Sequence, residues 1–233
     1  MAQASCGFGV TVRVSQTIAK TKFLAFGDSI TDGAVSLAPL IMLGPPDTYP
    51  FKLEQMLLER YPSQSIVVLN EGKGGEDTRE GARRLPQVLA AAQPEVVLLL
   101  EGINNLGAST ATQANALRTM IRDSQSRGVD VIIATVMPVQ PTWRQYQPGV
   151  TVPKIEALNH QIFALAAEFN LGLPVDLYAL FDANPHLIGA DGLHPSLEGQ
   201  TRMAEAFRDE IVRRYGSDAT STSLHFSAMR RPR

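Results

Sequence analysis

The sequence predicts an α/β protein built on a parallel sheet with helices on both faces. Three observations predict it. Short apolar runs recur along the chain and alternate with stretches whose apolar residues fall at helical spacing. The runs are apolar throughout, as strands covered on both faces require. The first three runs are each followed by a polar loop containing glycine, and an open parallel sheet gathers its functional groups at such strand ends.

The elements follow in order. Phe23 to Phe26 is the first buried strand, ended by Gly27. Tyr49 to Tyr61 carries Phe51, Leu53, Met56 and Leu57 at helical spacing, and Pro62 stops it. Ile66 to Leu69 is the second strand, Thr78 to Ala92 a helix, and Val96 to Leu100 the third strand. Thr110 to Arg127 is a helix capped by Gly128, and Val129 to Val136 is the fourth strand. Pro153 to Asn170 is a helix with proline near its start. Leu173 to Val175 gives a short fifth strand, and Ser196 to Tyr215 the last helix.

At 233 residues with 44% hydrophobic content, the chain suits one large domain with its own core, placed at residues 22–216. Residues 1–21 form an N-terminal extension. Gly9 to Ser15 alternates apolar and polar residues like a half-buried strand, and reads either as an edge strand or disordered leader or as the end of a preceding β domain. Residues 217–233 read as a flexible, solvated tail with a basic end. The net charge of −2 gives no electrostatic reason to expect nucleic acid as a partner. No apolar run reaches the roughly 20 residues a membrane-spanning helix needs. Cys6 is the single cysteine, which excludes an intrachain disulfide and a cysteine-rich metal site. The oligomeric state is not readable. If the extension ends an upstream domain, an extracellular or periplasmic location is favoured over the cytoplasm.

Four loops carry chemistry. Gly27-Asp28-Ser29 follows the first strand and offers a serine at the mouth of a pocket, although the tripeptide is also an ordinary turn. Asn70-Glu71-Gly72-Lys73-Gly74-Gly75 follows the second, and its glycines let backbone N–H groups approach a ligand. Neither the dinucleotide spacing nor the phosphate-loop lysine is present. Gly102-Ile103-Asn104-Asn105 follows the third strand, and an Asn side chain there can donate to an oxyanion or cap a turn. Asp191-Gly192-Leu193-His194-Pro195 precedes the last helix. A carboxylate three residues before a histidine can accept from one ring nitrogen and leave the other facing outward.

Together the four blocks, in this order, resemble the SGNH hydrolase family, also called GDSL esterases and lipases. The resemblance covers roughly Phe23 to Tyr215. It implies a flavodoxin-like three-layer α/β/α sandwich with a five-stranded parallel sheet. It implies Ser29 as nucleophile, His194 as general base and Asp191 as its orienting carboxylate. Ser29 and Gly75 would supply backbone oxyanion donors and Asn104 a side-chain donor. No metal or organic cofactor is implied. Asn105 departs from the family's usual Asp at that place. The pentapeptide Gly-x-Ser-x-Gly of α/β-hydrolases is absent.

The expected activity is hydrolysis of a small-molecule carboxylic ester through an acyl-enzyme, on small acyl or acetylated carbohydrate substrates. The alternatives are a lysophospholipase- or thioesterase-type acyl hydrolase and a non-catalytic carbohydrate- or lipid-binding module. The glycines at 72–75 leave a flavodoxin-like nucleotide binder as a further class. Ala34 to Pro46 is mostly apolar and reads either as a wall for an acyl chain or as a loop packed on the core. Trp143 and Tyr146 sit between prolines and read either as pocket residues or as anchors of their own loop.

Overall fold

The computed structural model describes residues 9–12, 16–36, 40–217 and 222–225. Its elements in chain order are β1 (Gly9–Val12), β2 (Lys22–Gly27), α1 (Ser29–Asp32), β3 (Ala34–Ser36), β4 (Leu40–Met42), α2 (Tyr49–Arg60), β5 (Val67–Gly72), α3 (Thr78–Ala92), β6 (Val96–Leu100), α4 (Thr110–Gln125), β7 (Asp130–Ile133), α5 (Thr151–Glu168), α6 (Leu177–Asp182), α7 (Leu197–Tyr215) and β8 (Thr222–His225).

The central sheet has the order β5-β2-β6-β7, and every neighbouring pair is parallel. Strands β2 and β6 lie inside it, and their residues 23–27 and 96–100 are all buried. Among the described residues the sheet has four strands rather than the expected five. Pro174 has no N–H to offer, and Gly172 turns the chain with φ +75° just before it. What remains of the fifth strand is one parallel bridge between Ala134 and Val175. It is held by Val175 N–H to Ile133 O (2.9 Å) and Thr135 N–H to Val175 O (3.0 Å).

Helices cover both faces. On one, α2 packs against α7; on the other, α3 packs on α4 and α4 on α5. Buried residues recur every four positions on α2 (Tyr49, Leu53, Leu57) and α7 (Gly199, Met203, Phe207, Ile211), which aims one stripe of each at the core. The rings of Tyr49 and Phe207 stack at 5.3 Å, a contact worth about 1 kcal/mol beyond area burial. Helix α3 starts on a capping box: Asp77 accepts from the N–H groups of Arg79 and Glu80, and Glu80 accepts from Asp77 N–H. Ser196 caps α7 by accepting from Gly199 N–H at 3.1 Å.

The terminal segments meet each other, and β1 falls within the alternating stretch of the extension. Strand β1 pairs antiparallel with β8, which lies within the segment read as tail. Ile18 bridges to Gly216, and Ser217 N–H donates to Thr17 O at 2.9 Å. Cys6, the rest of the extension's alternating stretch (13–15) and the basic end of the tail lie outside the described residues.

Register is what builds the site. Gly27 at the end of β2 pairs with Gly72 of β5 and with Leu100 of β6. The three loops that follow therefore leave the sheet at one level. Gly72 is also where α1 crosses closest, because a Cβ there would collide with the backbone of Thr31 and Asp32.

Candidate active site

Ser29 is the first residue of α1, where backbone N–H groups have no intrahelical acceptor. Asp28 caps that short helix by accepting from Ile30 N–H at 2.9 Å. The Ser29 hydroxyl lies 2.9 Å from His194 Nε2. His194 Nδ1 lies 2.6 Å from Asp191 Oδ2. An ionised carboxylate can only accept, so Nδ1 carries the proton and Nε2 is left to accept from the Ser29 hydroxyl. The structure thus brings Ser29, His194 and Asp191 into one hydrogen-bonded row across 165 residues of sequence.

The loop that carries Asp191 and His194 is tied down locally. Asp191 Oδ1 accepts from the N–H groups of Leu193 and His194, each at 3.0 Å. Gly189 N–H donates to His194 O at 2.7 Å, and Ile188 bridges to Pro195. Gln140 N–H donates to Gly192 O at 2.8 Å, which docks the loop after β7 onto it. Burial works against the Asp191 carboxylate. The His194 ring and the two backbone N–H groups outweigh it and hold the group below the usual carboxylate range.

Across the cleft lie the expected oxyanion donors. Gly75 has φ +76°, a left-handed conformation that favours glycine, and it lines the same cavity as Ser29. Asn104 Nδ2 donates to Glu76 O at 3.0 Å, which links the loops after β5 and β6 and leaves a second amide hydrogen for a ligand. Asn105 does different work. It is buried, donates to Thr78 Oγ1 at 3.0 Å and accepts from Gln113 Nε2 at 3.0 Å. The amide therefore serves the scaffold beneath Asn104 and needs no negative charge to do so.

Behind this row is a feature that the sequence reading missed. The Glu76 carboxylate is fully buried and takes bidentate bonds from Arg84, with Nε at 2.8 Å from both oxygens. Arg84 also lies over the Phe26 ring, 4.1 Å from its centroid, and donates to Glu71 O at 3.0 Å. Lys73 Nζ adds a second cation at 3.4 Å from Glu76. Two more buried acids stand nearby. Burial pushes the Asp28 carboxyl up to about 7, against the pull of its bond from Ile30, and the charge of Glu76 adds to the rise. Burial also raises Glu101 well above the usual range, with Asp28 and Glu76 adding to it and Arg84 opposing. Among the described residues, neither oxygen of Glu101 has a hydrogen-bond partner. Arg84 and Lys73 are fewer than the three buried carboxylates, so Asp28 and Glu101 hold protons that exposed acids would lose. An acid directly after the five-residue apolar run Val96 to Leu100 was the available signal for Glu101.

The cavity over Ser29 and His194 has a volume of about 630 Å³. Ala34 and Met42, one from each strand of the β3–β4 hairpin, form part of its wall. Leu193, Thr142 and Trp143 form another part. Tyr146 packs against the core instead. Among the described residues, no group of histidine, cysteine or acidic side chains has the arrangement of a metal site, and no helix is long and apolar enough to cross a membrane.

The chain is similar to known proteins over most of its length. The model of the GDSL-like lipase/acylhydrolase family matches residues 25–202. An arylesterase of Vibrio mimicus is 27% identical over 201 residues, covering 84% of this chain and 90% of that protein. Esterase TesA of Pseudomonas aeruginosa is 26% identical over 140 residues, covering 59% and 66%. The crystal structure of a lipase/acylhydrolase from Enterococcus faecalis superposes with a TM-score of 0.69 at 26% identity, covering 84% of this chain and 97% of that one.

Proposed function

The chain belongs to the GDSL-like lipase/acylhydrolase family and is a carboxylic ester hydrolase, and from that premise we propose that it works through a Ser29-His194-Asp191 triad and an acyl-enzyme. The observation that carries the reading is the row of contacts from Ser29 Oγ to His194 Nε2 (2.9 Å) and from His194 Nδ1 to Asp191 (2.6 Å). Ser29 Oγ attacks the ester carbonyl while Nε2 takes its proton, and Asp191 stabilises the imidazolium that forms. The oxyanion is met by the N–H groups of Ser29 and Gly75 and by Asn104 Nδ2. His194 returns the proton to the departing alkoxide, so the alcohol leaves and an acyl-Ser29 remains. Water, activated by the same nitrogen, then releases the acid.

Small acyl esters, including acetylated carbohydrates, fit a cavity whose wall beside Ser29 is formed by Ala34, Met42 and Leu193. The test is hydrolysis of p-nitrophenyl acetate, butyrate and octanoate by the wild type and Ser29→Ala. The wild type cleaves acetate fastest and the variant is inactive. Equal activity of the two proteins rules out Ser29 as the nucleophile, and a rate that climbs to octanoate transfers the reading to a long-chain acyl hydrolase.

A further inference from the structure

The cleft does not end at the triad. A second cavity of about 320 Å³ shares Asn104, Trp143 and Gln145 with the catalytic one, so the two meet at the oxyanion asparagine. It extends toward α5 and is lined there by Gln147, Thr151 and Lys154. We propose that this second cavity receives the alcohol part of the ester and selects an alcohol that bears a negative charge. The proposal rests on the esterase reading, which places the reacting carbonyl between Ser29 and Asn104. One substituent of that carbonyl then meets the wall of Ala34, Met42 and Leu193. The other passes Asn104 into the second cavity.

The charge is what specifies the ligand. Arg144 lines the first cavity and Lys154 the second. Among the described residues, neither has a carboxylate within ion-pair distance. Behind the oxyanion loop, Lys73 and Arg84 are paired with Glu76, and Arg79 with Asp77. Among the residues lining the two cavities the one acid is Asp191, in the first cavity with Arg144, so the second cavity holds a cation and no acid. Lys154, with no acid lining its own cavity, makes the potential there positive, which raises the local concentration of anions and weakens with salt. The amides of Gln145 and Gln147 and the hydroxyl of Thr151 supply neutral partners for the rest of a polar alcohol. The shared chemistry is an oxyanion on the alcohol, either a carboxylate, as in an acylated acidic sugar, or a phosphate.

The test compares 4-acetoxybenzoate, its neutral isostere 4-acetoxybenzamide and 4-acetoxyphenyl phosphate as substrates for the wild type, Arg144→Gln, Lys154→Gln and the double variant. The wild type prefers an anionic ester by about tenfold in kcat/KM, the scale of one charge-assisted contact. Lys154→Gln removes most of that preference through KM, the double variant removes all of it, and the amide's kcat/KM stays within about twofold throughout. A preference for the benzoate alone assigns a carboxylate, and one for the phosphate alone assigns a phosphate. Equal rates on charged and neutral esters, unchanged in the variants, overturn the subsite while leaving the esterase reading intact. No hydrolysis of any of the three by a protein that cleaves p-nitrophenyl acetate overturns it too. Failure on p-nitrophenyl acetate as well removes the esterase reading and the subsite with it.

Discussion

Asp191 and Asp28 are both aspartates in loops beside Ser29, yet their proton affinities are shifted in opposite directions. Asp191 is half-buried and accepts three hydrogen bonds, from His194 Nδ1 and from the N–H groups of Leu193 and His194. Asp28 is fully buried among other acids, and the bond from Ile30 cannot hold its charge against the loss of water. The residue type is the same, and the partners decide. Where donors converge, the carboxylate stays ionised and can stabilise an imidazolium. Where buried acids outnumber the cations beside them, the proton is held to higher pH. In the proposed mechanism the first arrangement serves the proton transfer, and the second supports the loops that present Gly75 and Asn104.

The contrast can be broken from either side. The largest effect is expected from Asp191→Asn, which lets the His194 ring settle in the wrong tautomer and lowers kcat by about 10⁴-fold with little change in KM. Steady-state kinetics on p-nitrophenyl acetate check it, and a loss under tenfold would leave His194 oriented by something else. Arg84→Met comes next. It leaves the buried Glu76 carboxylate with only Lys73 as a nearby cation and costs about 3–5 kcal/mol in chemical denaturation. Because Glu76 O holds Asn104, turnover should fall in whatever fraction of this variant stays folded. Asn104→Ala removes one oxyanion donor and lowers kcat by about 10²–10³-fold. A variant that keeps full turnover takes Asn104 out of the mechanism.

The smallest effect concerns pH. The Asp28 carboxyl is raised from an ordinary 3.8 to about 7 in the fold. Its contribution to stability is thus complete below about pH 4 and is lost as the pH rises through 7, where the buried acid must ionise. Asp191 runs the other way: its contribution is present above pH 3.8 and lost as the medium becomes more acidic than that. Denaturation midpoints should therefore fall between pH 5 and 8, by an amount on the order of 3 kcal/mol. Asp28→Asn keeps the cap on α1 and flattens that slope. A slope unchanged in this variant would move the titrating proton to Glu101.

Most of the scaffold was legible because its pattern is strong and its ends are marked. Helix α3 and strand β6 fall at the predicted residues. The first has a capping box and apolar residues four apart, and the second is five consecutive aliphatic residues. Helix α5 begins two residues earlier than predicted, since Pro153 sits at its third position rather than its first. Helix α6 was missed because six residues make less than two turns and show no period. The hairpin of β3 and β4 was read as loop because its strands are three residues each. In the site, Asp191 and His194 were visible since they lie three residues apart. Arg84 was not, because a charged residue on a helix reads as a solvated face until the fold brings Glu76 beneath it. The place of Asn105 became explicable only with Thr78 and Gln113, which reach it from two other helices.

The claim on which the rest depends is that Ser29 is the atom that takes the acyl group. Intact-mass and peptide mass spectrometry after reaction with a fluorophosphonate test it most directly. One adduct per chain, on Ser29, abolished in Ser29→Ala and strongly slowed in His194→Ala, is the predicted result. A fully active protein that carries no adduct, or an adduct on another residue that accompanies loss of activity, would contradict it.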